Sequence, residues 1–158
     1  MLRRTSGGSF CSGSMPYWER ADDGALPEAF QRDQSLKIYI PVYLPDLGER
    51  HMALVDTGAP YVTFGQDLVE ELKPKLDPLQ GVTLLTRHGR RVGQLCRITL
   101  QLVPNEGESL TIDSLAFLCD WPDSGSIILG YQGFLNRLQF AIDPTQRRFY
   151  FGDLEHSL

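Results

Sequence analysis

Residues 51–65, HMALVDTGAPYVTFG, place a carboxylate between two apolar segments. The residues HMALV before Asp56 and YVTF after Pro60 are typical of strands, because they are apolar, β-branched or aromatic. An Asp followed closely by a Gly often marks nothing more than a turn. Here, however, Asp56 follows a segment that is predicted to be buried. The stretch therefore predicts either a turn or a functional site at Asp56.

The composition indicates one globular domain. The chain has 158 residues, of which 42% are hydrophobic and 22% are charged, and these proportions are ordinary for a folded domain. Residues 1–34 are rich in Gly, Ser and other polar residues, so we expect a flexible leader. Residues 35–158 are expected to form the folded domain.

The same numbers argue against several classes of partner. A net charge of −5 disfavours nucleic acid, which requires a basic surface. No apolar run is long enough to cross a membrane, and the first residues lack the apolar core of a secretory signal. A cytoplasmic location is therefore expected.

The cysteines and histidines show no metal-binding spacing. The three cysteines form no CxxC pair, and an odd, sparse set suits a reducing compartment. Cys96 and Cys119 lie in apolar runs and are expected to be small buried side chains. We expect neither a metal nor a cofactor.

The order of elements predicts an all-β fold. The segments LKIYIPVYL and RHMALV flank a Pro-Asp-Leu-Gly turn, and further short apolar segments follow at GVTLLT, RVGQLCRITLQLV, ESLTIDSLAFLCD and SIILG. A brief helix is expected around Leu68, Val69 and Leu72, with Pro74 ending it. Many short strands with brief helices indicate a small closed β-barrel or a sandwich.

Two segments carry a resemblance to a known family. LVDTGA at 54–59 and IILGYQGFL at 127–135 together resemble the retropepsin-like aspartic proteases, in particular the bacterial single-domain members. Asp56 to Ala59 match the Asp-Thr-Gly-Ala of that family. Ile128, Leu129 and Gly130 match its later hydrophobic-hydrophobic-Gly segment. The resemblance spans residues 36–151 and implies a closed barrel of the retropepsin type.

The resemblance implies an aspartic endopeptidase. Peptide hydrolysis by water requires one group to accept a proton and another to donate one. Two close carboxylates do both, since like charge keeps one of them protonated. This chain carries only one such motif, so two copies of Asp56 must meet across the axis of a homodimer. Thr57 and Gly58 complete the implied catalytic loop, with Thr57 bonding to the partner loop.

The resemblance also implies a substrate groove. Its walls are expected to include Ala59, Val82, Leu84 and Ile128, although each is equally explicable as core. The segment around His88 and Gly89 occupies the place of the hairpin that closes over a peptide or protein substrate in this family. An ordinary exposed hairpin explains those two residues equally well.

Two alternatives stay open on the sequence alone. The chain could be a non-catalytic module that holds a peptide or protein partner in the same fold. Asp56 could also cap a turn in an unrelated β domain.

Pro60 departs from the family pattern, because it removes a backbone donor near the site. The segment RRFYFG is a candidate for pairing between subunits, as the terminal strands of the viral enzymes are.

Overall fold

The computed structural model describes residues 11–21, 36–86, 89–120 and 127–154. Within these ranges the secondary structure is mostly strand, which confirms the all-β prediction. The strands are β1 (Gly13–Pro16), β2 (Trp18–Ala21), β3 (Leu36–Leu44), β4 (Glu49–Val55), β5 (Pro78–Thr86), β6 (Gly89–Leu102), β7 (Glu106–Gly107), β8 (Leu110–Leu118), β9 (Ile127–Leu129), β10 (Leu138–Asp143) and β11 (Arg148–Asp153).

The described helical elements are few and short, as predicted. Helix α1 spans Gln66–Leu72, and 3-10 turns span Lys73–Lys75 and Leu135–Arg137. The side chains of Leu68, Val69 and Leu72 are buried. These positions repeat at helical spacing, so the face they form packs on the core. Pro74 lies in the 3-10 turn that follows α1.

The described strands form two sheets. The smaller sheet has the order β10-β11-β1-β7, and the larger has the order β5-β6-β3-β4-β9, with β2 paired to β3 and β8 paired to β6. Closure of these sheets into a barrel stays a prediction. Strand β6 shows how the chain builds its core, because alternate residues are buried. They are Cys96, Ile98, Leu100 and Leu102.

Strands β1 and β2 lie in the segment that was predicted to be a flexible leader. Strand β1 lies between β11 and β7 in antiparallel register, and strand β2 pairs with β3. Met15 and Tyr17 are buried, at 0% and 4% exposure. The prediction of a flexible leader is wrong for residues 13–21. Residues 1–10 and 22–35 lie outside the described residues, so the domain boundary near residue 35 stays a proposal.

Close packing explains why Gly stands at both sides of this contact. A Cβ on Gly13 would lie 2.9 Å from the carbonyl oxygen of Glu108, and Gly107 has φ +100. Side chains at these positions would push β1 away from β7. Arg148 also holds β1 in place. It donates a hydrogen bond to the buried hydroxyl of Ser14 and forms an ion pair with Glu106 at 3.4 Å.

We expect Met15→Ala to reduce the free energy of unfolding by about 2 kcal/mol, because it leaves a cavity in the core. Urea denaturation of the full chain measures the change. Leu85→Ala is the control, since Leu85 is 83% exposed and its loss should change stability by less than about 0.5 kcal/mol. Equal, small effects from both variants would show that β1 is only loosely attached.

Candidate active site

Strands β4 and β9 bring the two sequence motifs to the same end of the larger sheet. They pair in parallel, with Ala53 opposite Ile127, Leu54 opposite Ile128 and Val55 opposite Leu129. Parallel strands deliver the residues that follow them to one edge. Asp56 and Gly130 are those residues, so the Asp-Thr-Gly loop and the Ile-Leu-Gly segment are adjacent. This adjacency agrees with what the resemblance of the two motifs implies.

Backbone hydrogen bonds hold the Asp-Thr-Gly loop in place. The amide of Asp56 donates to the carbonyl of Leu129 at 3.2 Å, and the amide of Ala59 donates to the carbonyl of Asp56 at 3.2 Å. The carboxylate oxygen Oδ1 of Asp56 accepts a hydrogen bond from the amide of Gly58 at 2.9 Å. The carboxylate is thus oriented by the glycine two residues after it. A Cβ on Gly58 would lie 3.2 Å from that same oxygen.

The second half of the loop docks on the segment after β9. The amide of Tyr131 donates to the carbonyl of Ala59 at 2.7 Å, and the amide of Gly133 donates to the carbonyl of Pro60 at 2.9 Å. Pro60 therefore takes part as an acceptor. The donor that proline lacks is not needed for this contact.

Two glycines allow this close approach. A Cβ on Gly130 would lie 2.6 Å from the amide nitrogen of Tyr61, and one on Gly133 would lie 2.6 Å from that of Val62. Both glycines are buried. Because the obstructing atoms are backbone, they cannot turn aside as a flexible side chain could. Gly133 was not singled out from the sequence, since its role depends on a neighbour about seventy residues earlier in the chain.

Backbone pairing fixes the segment that follows the Asp-Thr-Gly loop. Thr63 and Ile128 exchange two backbone hydrogen bonds, at 3.0 and 2.9 Å. Val62 makes a parallel bridge to Ala116 of β8. The segment after the loop is therefore tied to two strands, which leaves Asp56 little freedom to move relative to β9.

The loop presents its acidic group toward solvent. Asp56 is half-buried, whereas Thr57 and Gly58 are exposed. Within the described residues, Asp56 makes no ion pair. An oriented carboxylate at a surface can accept a proton, but one carboxylate cannot at the same time supply the acid.

The predicted groove residues are distributed over several elements. Ala59 is half-buried in the loop, and Ile128 is half-buried on β9. Val82 and Leu84 are half-buried on one face of β5, alternating with exposed neighbours. Gly89 begins β6 with φ +97 and accepts a hydrogen bond from the hydroxyl of Thr86 at 2.9 Å. His88 lies outside the described residues. Substrate contact at all these positions stays a prediction.

The two buried cysteines do not form an alternative nucleophilic site. Cys96 and Cys119 are buried free thiols, as predicted. Burial raises the pKa of the Cys119 thiol to about 11, so it stays protonated at neutral pH and is a poor nucleophile.

In the described ranges no three His, Cys, Asp or Glu side chains are grouped so that they could hold a metal ion. None of the described helices is both long and apolar enough to span a membrane.

The chain was compared with family models, curated proteins and solved structures. No family model matches the chain, and no curated protein matches it. Among solved structures, the chain is similar to a retropepsin-like aspartic protease from Rickettsia conorii. The two share 22% identity and a TM-score of 0.44, over 72% of this chain and 88% of that chain.

Proposed function

We propose that the chain is an aspartic endopeptidase that works as a homodimer. The observation that carries the proposal is the docking of the Asp-Thr-Gly loop on the segment after β9, with hydrogen bonds of 2.7 and 2.9 Å. This contact fixes the carboxylate of Asp56 at a surface, half-exposed. A simple turn in an unrelated domain does not require Gly at two positions where a Cβ would collide with the backbone. It also does not require two backbone hydrogen bonds to a second segment.

The chemistry follows from two copies of the same group. When two Asp56 side chains meet, like charge favours the state in which they share one proton. The ionised carboxylate takes a proton from water as the water attacks the peptide carbonyl, and the protonated one donates to the departing nitrogen. The shared proton belongs to the pair and is not assigned to one subunit. Thr57 is exposed beside it and is proposed to bond across to the partner loop.

The strand order changes the expected mode of dimerisation. The segment RRFYFG, a candidate for pairing between subunits, lies in β11 except for its first residue, Arg147. Strand β11 is paired on both sides, with β10 and with β1. Strand β10 ends the smaller sheet, and among the described strands only β11 pairs with it. We therefore propose that a second copy pairs along β10, which carries no Lys or Pro to oppose strand addition.

A lysine on β10 tests this edge. We expect Ala141→Lys to weaken dimerisation, because edge lysines oppose strand addition. Peptide cleavage should then fall at low protein concentration and recover at high concentration. The control is Gln146→Lys in the exposed β10–β11 turn, which adds the same charge away from the edge. Sedimentation that shows equal dimerisation in both variants would place the interface elsewhere.

The experiment for the function as a whole is digestion of a random peptide library with and without pepstatin, alongside a mass measurement in solution. The proposal requires pepstatin-sensitive cleavage by a dimer. Cleavage by a protein that is monomeric at the assay concentration would contradict it. Peptide binding without cleavage would instead indicate the non-catalytic module.

A further inference from the structure

Four apolar side chains form a row across the larger sheet. Trp18 of β2 lies opposite Tyr39 of β3, Tyr39 lies opposite Leu54 of β4, and Leu54 lies opposite Ile128 of β9. Residues opposite one another in a sheet point to the same face. We call Trp18, Tyr39, Leu54 and Ile128 the apolar row. The core lies on the other face, where the neighbouring residues are fully buried: Ile40, Ala53, Ile127 and Leu129.

The apolar row faces away from that core. Trp18 is 50% exposed, and Met52, which lies on the same face of β4, is 42% exposed. Tyr39, Leu54 and Ile128 are half-buried. Large apolar side chains that lie together at a surface mark a contact site more often than isolated ones do.

Cations border the row on the side toward Asp56. On the same face, two residues further toward Asp56, Arg20 of β2 lies opposite Lys37 of β3. The guanidinium of Arg20 lies over the ring of Tyr39, 5.5 Å from its centroid. The acidic residue of β2, Glu19, lies on the other face and pairs with Arg147 at 3.7 Å. On this face, the charged side chains of the described residues of β2 and β3 are thus cationic, on a chain whose net charge is −5.

The row leads directly to the candidate catalytic loop. Leu54 lies two residues before Asp56, and Ile128 lies two residues before Gly130. Asp56 follows β4, and two interstrand spacings, or about 10 Å, separate β4 from β2, which an extended peptide of about three residues covers. A peptide that is cut at Asp56 and runs along the row reaches Trp18 and Arg20 at that distance.

We propose that the apolar row is the outer part of the substrate groove, and that Arg20 selects peptides with an acidic residue about three positions from the cleaved bond. The proposal rests on the endopeptidase function above. Apolar or aromatic substrate side chains pack on the row, and the carboxylate of the acidic residue binds the guanidinium. Stacking on Tyr39 leaves the edge of that guanidinium available for two parallel hydrogen bonds.

The test uses two pools of labelled peptides with the same randomised centre, one with Glu and one with Gln at the flanking positions. Fluorescence anisotropy measures binding to the full chain carrying Asp56→Asn, and mass spectrometry measures cleavage by the wild-type chain. We expect the Glu pool to be preferred about threefold in both measurements, as an exposed ion pair allows. The preference should decrease as salt is added.

Arg20→Gln should abolish the preference for the Glu pool. Arg50→Gln is the matched control, because Arg50 is an exposed cation on the same face of β4, six residues before Asp56. It should retain the preference. Trp18→Ala should weaken binding of both pools about tenfold, as loss of an aromatic anchor does.

The outcomes separate this inference from the function on which it rests. Cleavage of both pools at equal rates would overturn the inference and leave the endopeptidase standing. Arg20-dependent binding of the Glu pool without any cleavage would support the acidic-peptide site and contradict the endopeptidase. If Trp18→Ala changed the mass in solution and left peptide binding unaltered, the row would be a contact between copies and the inference would be wrong.

Discussion

Asp56→Asn is expected to reduce kcat/KM for peptide cleavage about a thousandfold or more, because an amide can neither accept nor share the proton that the reaction moves. The backbone bonds that hold the loop do not involve the carboxylate, apart from the one accepted by Oδ1 from Gly58. The amide oxygen of asparagine can accept that bond. The variant should therefore keep both the fold and the dimer.

Asp46→Asn is the matched control for this change. Asp46 is an exposed acid in the turn between β3 and β4, so its replacement alters the net charge equally without touching the loop. Cleavage should be unchanged in this variant. Circular dichroism and sedimentation establish that both proteins are folded and dimeric. Residual cleavage by Asp56→Asn near the level of the control would remove Asp56 from the mechanism.

Gly130→Ala is expected to reduce the free energy of unfolding by about 3 kcal/mol, because the new methyl group is forced against backbone. Its carbon would lie 2.6 Å from the amide nitrogen of Tyr61, and Tyr61 directly follows the Asp-Thr-Gly loop and Pro60. The only relief is a shift of the loop away from β9. Cleavage should therefore fall together with stability, even at temperatures where the variant remains folded.

Gly81→Ala makes the same chemical change where space is available. The nearest atom to a Cβ on Gly81 is the carbonyl oxygen of Gly93, at 4.0 Å. We expect its free energy of unfolding to stay within about 0.5 kcal/mol of the wild-type value. Chemical denaturation of both variants gives the comparison. Equal stabilities would mean that the loop and the segment after β9 are not in close contact.

The candidate site could be predicted because its signals are local. Asp56, Thr57 and Gly58 are consecutive, and Ile128 to Gly130 form a second compact motif. Each strand before them is apolar, which indicates burial without knowledge of its neighbours. The helical spacing of Leu68, Val69 and Leu72 is likewise a local pattern.

The parts that the sequence did not predict depend on partners far along the chain. Strand β1 has the sequence GSMP, in which Met15 is the one large apolar residue, so no alternation reveals it. It forms because β11, more than a hundred residues later, presents a pairing edge. The apolar row depends on the registers of three strand pairs, and one displaced residue would turn Trp18 to the other face.

The most direct test mixes subunits. Wild-type and Asp56→Asn chains are combined at constant total concentration, allowed to exchange, and assayed for peptide cleavage. If each active unit needs Asp56 from both subunits, the rate falls as the square of the wild-type fraction. A rate that falls in direct proportion to that fraction would mean that one subunit suffices, and would contradict a shared proton between two copies of Asp56.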